Sequence, residues 1–212
     1  SVMKLINRVA IIDYKMNNLF SIEAACKYNK IKTIITSDHE EIMRSKFSIL
    51  PGVGAFNAAM GKIKFLKLDK TIKKFIDTGR PFLGICLGFQ LLFQESEEFG
   101  KTKGLNIIKG KIRKFNFRNQ KFQIPYIGWN KIRKEKSWAK TILKESTDNR
   151  LKYFIHSYYL PAEENRKIMI ASSMYNDVKI CSALKMENIY ATQFHPEKSG
   201  KSGLNIIKNF TK

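Results

Sequence analysis

The stretch RPFLGICLGFQLLF, residues 80–93, is the one whose reading decides the fold. Residues 81–85 (PFLGI) are an apolar run the length of one buried strand, and residues 87–94 carry a helical pattern. Between the two stands Cys86, in the spacing G-x-C-x-G. That spacing has the form of a nucleophile elbow, in which the chain turns sharply from strand to helix and strains its central residue. Gly84 and Gly88 remove side chains that would strike neighbouring backbone. Cys86 is therefore expected at the carboxyl end of a strand, with its sulfur facing a crevice. Free N–H groups and the dipole at the start of the next helix favour negative charge on that sulfur. The following amide, on Leu87, is placed to hold an oxyanion. The alternative is a small cysteine packed between glycines. Cys26 and Cys181 lack the setting and read as core.

On the N-terminal side, strand-like and helix-like segments alternate. Residues 8–13 (RVAIID) are apolar, 19–29 are helical in pattern, 32–35 are β-rich, and 47–50 form another apolar run ended by Pro51-Gly52. Residues 68–78 read as an amphipathic helix, with Leu68, Ile72, Phe75 and Ile76 on one side and lysines on the other. Gly79 suits its C-terminal cap. This alternation predicts a parallel sheet covered on both faces. On the C-terminal side, residues 111–117, 130–133, 153–157, 167–173, 180–185 and 189–193 read as strands joined by turns, so antiparallel or mixed pairing is expected there. Residues 203–210 form a closing helix. The expectation is one α/β domain over 1–212, with a central mixed, mostly parallel sheet flanked by helices.

At 212 residues, 43% hydrophobic and 27% charged, the composition is that of a globular protein with a sizeable core. No apolar run is long enough to span a bilayer, and SVMKLINR lacks the apolar centre of a signal peptide. Three widely spaced cysteines suit neither a disulfide framework nor a zinc site. A cytoplasmic protein without metal or cofactor is expected. The net charge of +21 is spread over scattered lysines. With no zinc finger, RNA-binding aromatic signature or basic arm, nucleic acid is not expected as a partner, and an acidic protein partner is the better use of the charge.

A thiolate nucleophile needs a base. His39, in SDHEE, reads as a solvated residue at a polar loop or helix start. His156 lies in an aromatic strand. His195, in QFHPEKS, follows a short strand, and Pro196 biases it toward the extended form. In an extended segment residues i and i+2 point the same way, so the carboxylate of Glu197 can reach back to the imidazole of His195. There it would fix the tautomer and stabilise the imidazolium. A third element, ILPGVGAFN (49–57), follows an apolar strand. Gly52 and Gly54 free its backbone to turn N–H groups toward an anion.

The elements PGVG, GICLG and HPE, in that order, resemble the class I glutamine amidotransferases. IIDYKMNNL, LPGVGAFNAAM, GICLGFQLLFQESEE, PYIGWN, YFIHSYY, ATQFHPEKSG and GLNIIKNF resemble one branch, the glutaminase subunits of imidazole glycerol phosphate synthase, over nearly the whole chain. The resemblance implies a Cys86-His195-Glu197 triad that hydrolyses glutamine. Leu87 and Val53 N–H groups would hold the oxyanion. Gln90, Glu98, Ser157 and Tyr158 would surround the glutamine head group with Gly52 beneath it, Glu95 and Glu97 being neighbouring carboxylates that compete with Glu98. It also implies a structural role for His156, and ammonia delivered through a tunnel to a heterodimer partner, a barrel-shaped synthase (cyclase) subunit. That partner makes imidazole glycerol phosphate and an aminoimidazole carboxamide ribotide in histidine biosynthesis. Asn18, Trp129 and Lys198 fall at family positions near that interface, with a core role as the alternative for Trp129. Lys15 and Asn17 stand where the family usually has glycines, and Tyr126 where many relatives have another residue. Three rival readings remain: a paralogous glutaminase feeding a sugar-amidating synthase in surface glycan synthesis, a free-standing cysteine hydrolase or peptidase, and a non-enzymatic basic binding protein.

Overall fold

The computed structural model describes residues 2–16, 19–117, 122–147 and 150–212. The N-terminal half runs β1 (Ile6–Ile12), α1 (Phe20–Tyr28), β2 (Thr33–Thr36), α2 (His39–Arg44), β3 (Ser45–Leu50), α3 (Phe56–Phe65), α4 (Leu68–Asp77), β4 (Phe82–Ile85) and α5 (Leu87–Leu91). There follow β5 (Glu95–Ser96), β6 (Thr102–Lys103), β7 (Lys111–Lys114), β8 (Tyr126–Lys131), β9 (Arg133–Lys134), β10 (Leu151–His156) and β11 (Tyr158–Tyr159). The chain closes with β12 (Met169–Tyr175), β13 (Val178–Met186), β14 (Ile189–Thr192), a 3₁₀ turn (Pro196–Lys198) and α6 (Gly200–Phe210).

Eight strands form the main sheet in the order β2-β1-β3-β4-β14-β13-β12-β9. The first five are mutually parallel, and the rest pair antiparallel. The change of pairing falls at β14, a strand of the turn-linked half that joins β4 in parallel and β13 antiparallel, so the mixed pairing expected there is present but its place in the sheet was not foreseen. Successive residues of β1 enter opposite cores: Ala10 and Ile12 pack with α2, α3 and α4, while Val9 and Ile11 pack with α1 and α6. A strand buried on both faces has no polar side, which is why it reads as a continuous apolar run. In α4, Leu68, Ile72 and Phe75 are buried and Lys70, Lys73 and Lys74 are exposed. Each of those apolar side chains contributes about 1.5–3 kcal/mol by burial. Gly79 follows the helix at φ +79°, as its C-cap role requires.

Several helices differ from the expectation: α2 does not read as an element in the sequence, α6 begins three residues early, and α5 and α3 depart further. α5 covers five residues rather than eight, so its dipole is smaller than a longer helix would give. α3 does not stand out in the sequence, because Gly61 interrupts it and its N-cap, Ala55, offers no side-chain acceptor. The cap comes from elsewhere: Glu98 Oε2 accepts the Phe56 N–H at 2.8 Å, across 42 residues. Among the described residues, no helix is long and apolar enough to cross a membrane.

Candidate active site

Three adjacent parallel strands build the site. β3 pairs with β4 through Leu50 and Gly84, and β14 pairs with β4 through Thr192 and Ile85. Their carboxyl ends therefore release residues 51–54, Cys86 and residues 193–195 at one rim, the usual place for a ligand in an open parallel sheet.

Cys86 has φ +54° and ψ −108°, a strained setting for a residue with a side chain. A Cβ on Gly84 would stand 2.8 Å from the Gly88 carbonyl oxygen, and one on Gly88 would stand 1.8 Å from that of Leu50. Both glycines are thus demanded by close backbone approach, as the elbow reading expects. The Cys86 N–H donates to Thr192 O at 2.8 Å, tying the elbow to β14. The Cys86 thiol lies 3.6 Å from the Ile155 carbonyl oxygen, and the Gln193 amide nitrogen donates toward its sulfur at 3.8 Å.

His195 Nδ1 and Glu197 Oε1 are 2.6 Å apart, with both side chains 3% exposed. The backbone that achieves this is not the extended segment expected. His195 is extended (φ −95°, ψ 101°), but Pro196–Lys198 is a 3₁₀ turn that folds the carboxylate back. Proline suits the start of such a turn because it has no N–H to leave unpaired. His195 Nε2 is buried with no hydrogen-bond partner among the described residues. Burial alone would lower the proton affinity of this imidazole. Charge interactions and hydrogen bonding with Cys86 and Glu197 outweigh it and raise the pKa to about 10.

Cys86 opens onto a cavity of about 240 Å³, whose lining includes Val53, Leu87, Gln90, Glu98, Ser157 and Tyr158. Of the three neighbouring acids, only Glu98 lines it. Glu95 is paired with Lys101 and Lys111, each at 3.3 Å, and Glu97 with Arg113 at 2.8 Å. Gly52 is not in that lining. It borders a smaller cavity of about 120 Å³, together with Ser21, Val53, His195, Glu197 and Lys198. A Cβ at Gly52 would stand 2.0 Å from Tyr14 Oη, and that hydroxyl donates to Pro51 O at 2.8 Å. The Leu87 amide also differs from the expectation of a free donor, since it donates to Gly52 O at 3.3 Å. In this conformation the Gly52 carbonyl takes up the Leu87 N–H that the sequence assigned to an oxyanion.

His156 Nδ1 donates to Tyr158 O at 2.8 Å, and the ring packs among Phe115, Tyr126 and Phe154. Burial pushes its pKa down to about 4. Tyr126 is itself buried and stacks on Tyr175. His39 opens α2, exposed, with Nδ1 2.9 Å from Thr71 Oγ1. Cys26 and Cys181 are buried, and burial pushes the Cys26 thiol up to about 12. Trp129 is 54% exposed on β8, so it is not a core residue. Lys15 takes φ +67°, the left-handed conformation that glycine adopts freely, and Asp13 holds both its N–H and its ammonium. Asn17 and Asn18 lie outside the described residues.

Residues 10–212 match the family model described as glutamine amidotransferase class-I. This chain belongs to that family. Among relatives of this amidotransferase, the imidazole glycerol phosphate synthase subunit HisH of Bacillus cereus (strain G9842) is 43% identical over 202 residues, covering 95% of this chain and 93% of the relative. The protein of the same name with the number 1 from Legionella pneumophila (strain Paris) is 40% identical over 208 residues, covering 95% and 97%. Solved amidotransferase-like structures share the fold at low identity. PurLQS from Thermotoga maritima superposes with a TM-score of 0.71 at 16% identity over 98% of both chains. The glutaminase domain of CTPS from Trypanosoma brucei gives 0.66 at 15%, over 97% of this chain and 94% of that one.

Two residues of this amidotransferase site were not singled out in the sequence. Gln193 carried a usable signal, since it precedes His195 by two positions at the end of a strand. Tyr14 carried none, because its contact with Pro51 spans 37 positions and two strands.

Proposed function

We propose that this chain is the glutaminase subunit of an imidazole glycerol phosphate synthase in histidine biosynthesis, with residues 1–212 acting as one cytoplasmic domain. The observation that carries the reading is the buried imidazole of His195, bonded at 2.6 Å to Glu197 and lacking a partner at Nε2, beside a cysteine that opens onto a cavity. The names of the 40–43% identical relatives, which match over nearly their full length, support the same reading.

Cys86 acts as the nucleophile. Its sulfur anion attacks the side-chain amide carbon of glutamine and the carbonyl π electrons move to oxygen. The resulting oxyanion is held by the Leu87 and Val53 amides, once the Gly52 peptide has turned away from Leu87. His195, held protonated by its two anionic neighbours, gives its proton to the leaving nitrogen, so ammonia departs and a γ-glutamyl thioester remains. The now neutral imidazole takes a proton from water, and the hydroxide formed attacks the thioester to release glutamate and the sulfur anion. Glu197 orients the ring and balances its charge throughout. Gln90, Glu98, Ser157 and Tyr158 hold the head group, with the Glu98 carboxylate matching the α-ammonium.

Ammonia protonated in bulk water is no longer a nucleophile, so it must pass directly to a second site. The smaller cavity is lined by His195 and by the exposed Lys198, and shares Val53 with the cavity at Cys86. It is the proposed exit toward a barrel-shaped synthase subunit, which also covers Trp129. Lys15 at a position where glycine is usual favours, as a second reading, a paralogue that feeds a sugar-amidating synthase through the same glutaminase site.

The test is glutamate and ammonia production from glutamine, by the chain alone and with the synthase subunit, with and without its nucleotide ligand. A weak basal rate that rises with the loaded partner is expected. Equal rates with and without the loaded partner would overturn the coupling, and cleavage of peptides without glutamine hydrolysis would favour a free-standing hydrolase.

A further inference from the structure

Gln193 is buried at the end of β14 and has no role in the triad. Its side chain lies in a chain of hydrogen bonds whose direction is fixed at one end. The Tyr158 carbonyl oxygen can only accept, so the group facing it at 2.9 Å must be the amide nitrogen of Gln90. That same nitrogen gives its second hydrogen to Gln193 Oε1 at 3.1 Å. The oxygen of Gln193 is thereby committed to Gln90, and its NH2 is turned to the Cys86 sulfur at 3.8 Å. Besides the catalytic imidazole of His195, the sulfur faces the Ile155 carbonyl oxygen at 3.6 Å, an acceptor that favours the S–H form. Gln193 donates toward the sulfur from the opposite end of its amide and opposes that preference.

We propose that Gln193 is a positioning residue, which sets the nucleophile and the substrate-binding amide of Gln90 at the same time. Its N–H favours negative charge on the Cys86 sulfur and fixes the direction of its lone pairs. Its oxygen, with Tyr158 O, uses both hydrogens of the Gln90 nitrogen, so Gln90 can present only its carbonyl oxygen to the cavity. A ligand atom facing Gln90 must then be a donor, as an amide or ammonium group is. This deepens the glutaminase reading and rests on it.

The experiment compares intact wild type, Gln193→Met and Gln193→Leu, the variants having no N–H to offer. It measures the pH profile of iodoacetamide alkylation at the Cys86 peptide, together with kcat and KM for glutamine, and melting curves report folding. Alkylation of Cys86 at neutral pH is expected to slow about tenfold, with its profile moved to higher pH. KM should rise as Gln90 loses its anchor, and kcat should fall. In wild type, a side-chain N–H resonance of Gln193 should titrate together with Cys86 alkylation and stop doing so in Cys86→Ala. That measurement decides the matter should neither variant fold. An unchanged alkylation profile in a folded variant, or a Gln193 resonance indifferent to Cys86, would overturn the proposal. Failure of glutamine to protect wild-type Cys86 would instead overturn the glutaminase reading.

Discussion

At the scale of single residues, the site rests on two histidines pushed in opposite directions. His195 is raised to about 10 because its charge interactions and hydrogen bonds with Cys86 and Glu197 outweigh burial. Its contribution to stability is fully present below the ordinary value of about 6.5 and is lost as pH rises through about 10. Replacing Cys86 with alanine removes one of those partners, so the ring titration followed by NMR should move to lower pH. His156 is lowered to about 4 by burial. Between pH 6.5 and 4 the unfolded chain binds a proton there and the native one does not, so stability falls as pH is lowered through that window. The loss amounts to roughly 3 kcal/mol at most. Urea unfolding across this range should show a shallower slope in His156→Gln. The sequence distinguished these roles through context: an HPE turn for His195, an aromatic strand for His156. The resemblance pointed to Glu98, but spacing alone did not separate it from Glu95 and Glu97, because the choice depends on Lys101, just before β6, and on Lys111 and Arg113 of β7.

At the scale of elements, the elbow and the PGVG loop depend on glycines for contact rather than for flexibility. Gly88→Ala places a methyl group 1.8 Å from Leu50 O, and backbone cannot yield there cheaply. A destabilisation of about 3 kcal/mol or more is expected by urea titration. Gly79→Ala, at φ +79° in open space, should lose only about 1 kcal/mol. Gly52→Ala meets Tyr14 Oη at 2.0 Å, so it should disturb the loop and lower glutamine turnover more than stability. The elbow was legible because its glycines are adjacent to the cysteine. α3 was not, since its cap arrives from Glu98. The 3₁₀ turn after His195 brought the right pair together by a path that simple alternation did not describe.

At the scale of the whole molecule, three neighbouring parallel strands bring together groups that are distant along the chain. The alternation of apolar runs and helices made the parallel half legible, and the turn-linked strands made the antiparallel half so. The small sheet of β11-β7-β5-β6 was not, because strands of two residues leave no periodicity to read. The exposed Trp129, resting edge-on against Tyr153, belongs to the proposed partner face. Trp129→Ala should weaken binding of the synthase subunit by about tenfold or more in calorimetry while leaving the melting temperature nearly unchanged. Turnover in which a cysteine, an imidazole and a carboxylate act together on a glutamine amide is tested most directly by acid-quenching the chain during turnover, with its synthase partner present, and weighing the peptide that contains Cys86. One added γ-glutamyl group on that peptide, absent in Cys86→Ser and absent without glutamine, is the expected result. Undiminished glutamine hydrolysis by Cys86→Ser, with no adduct on the wild-type peptide, would contradict it.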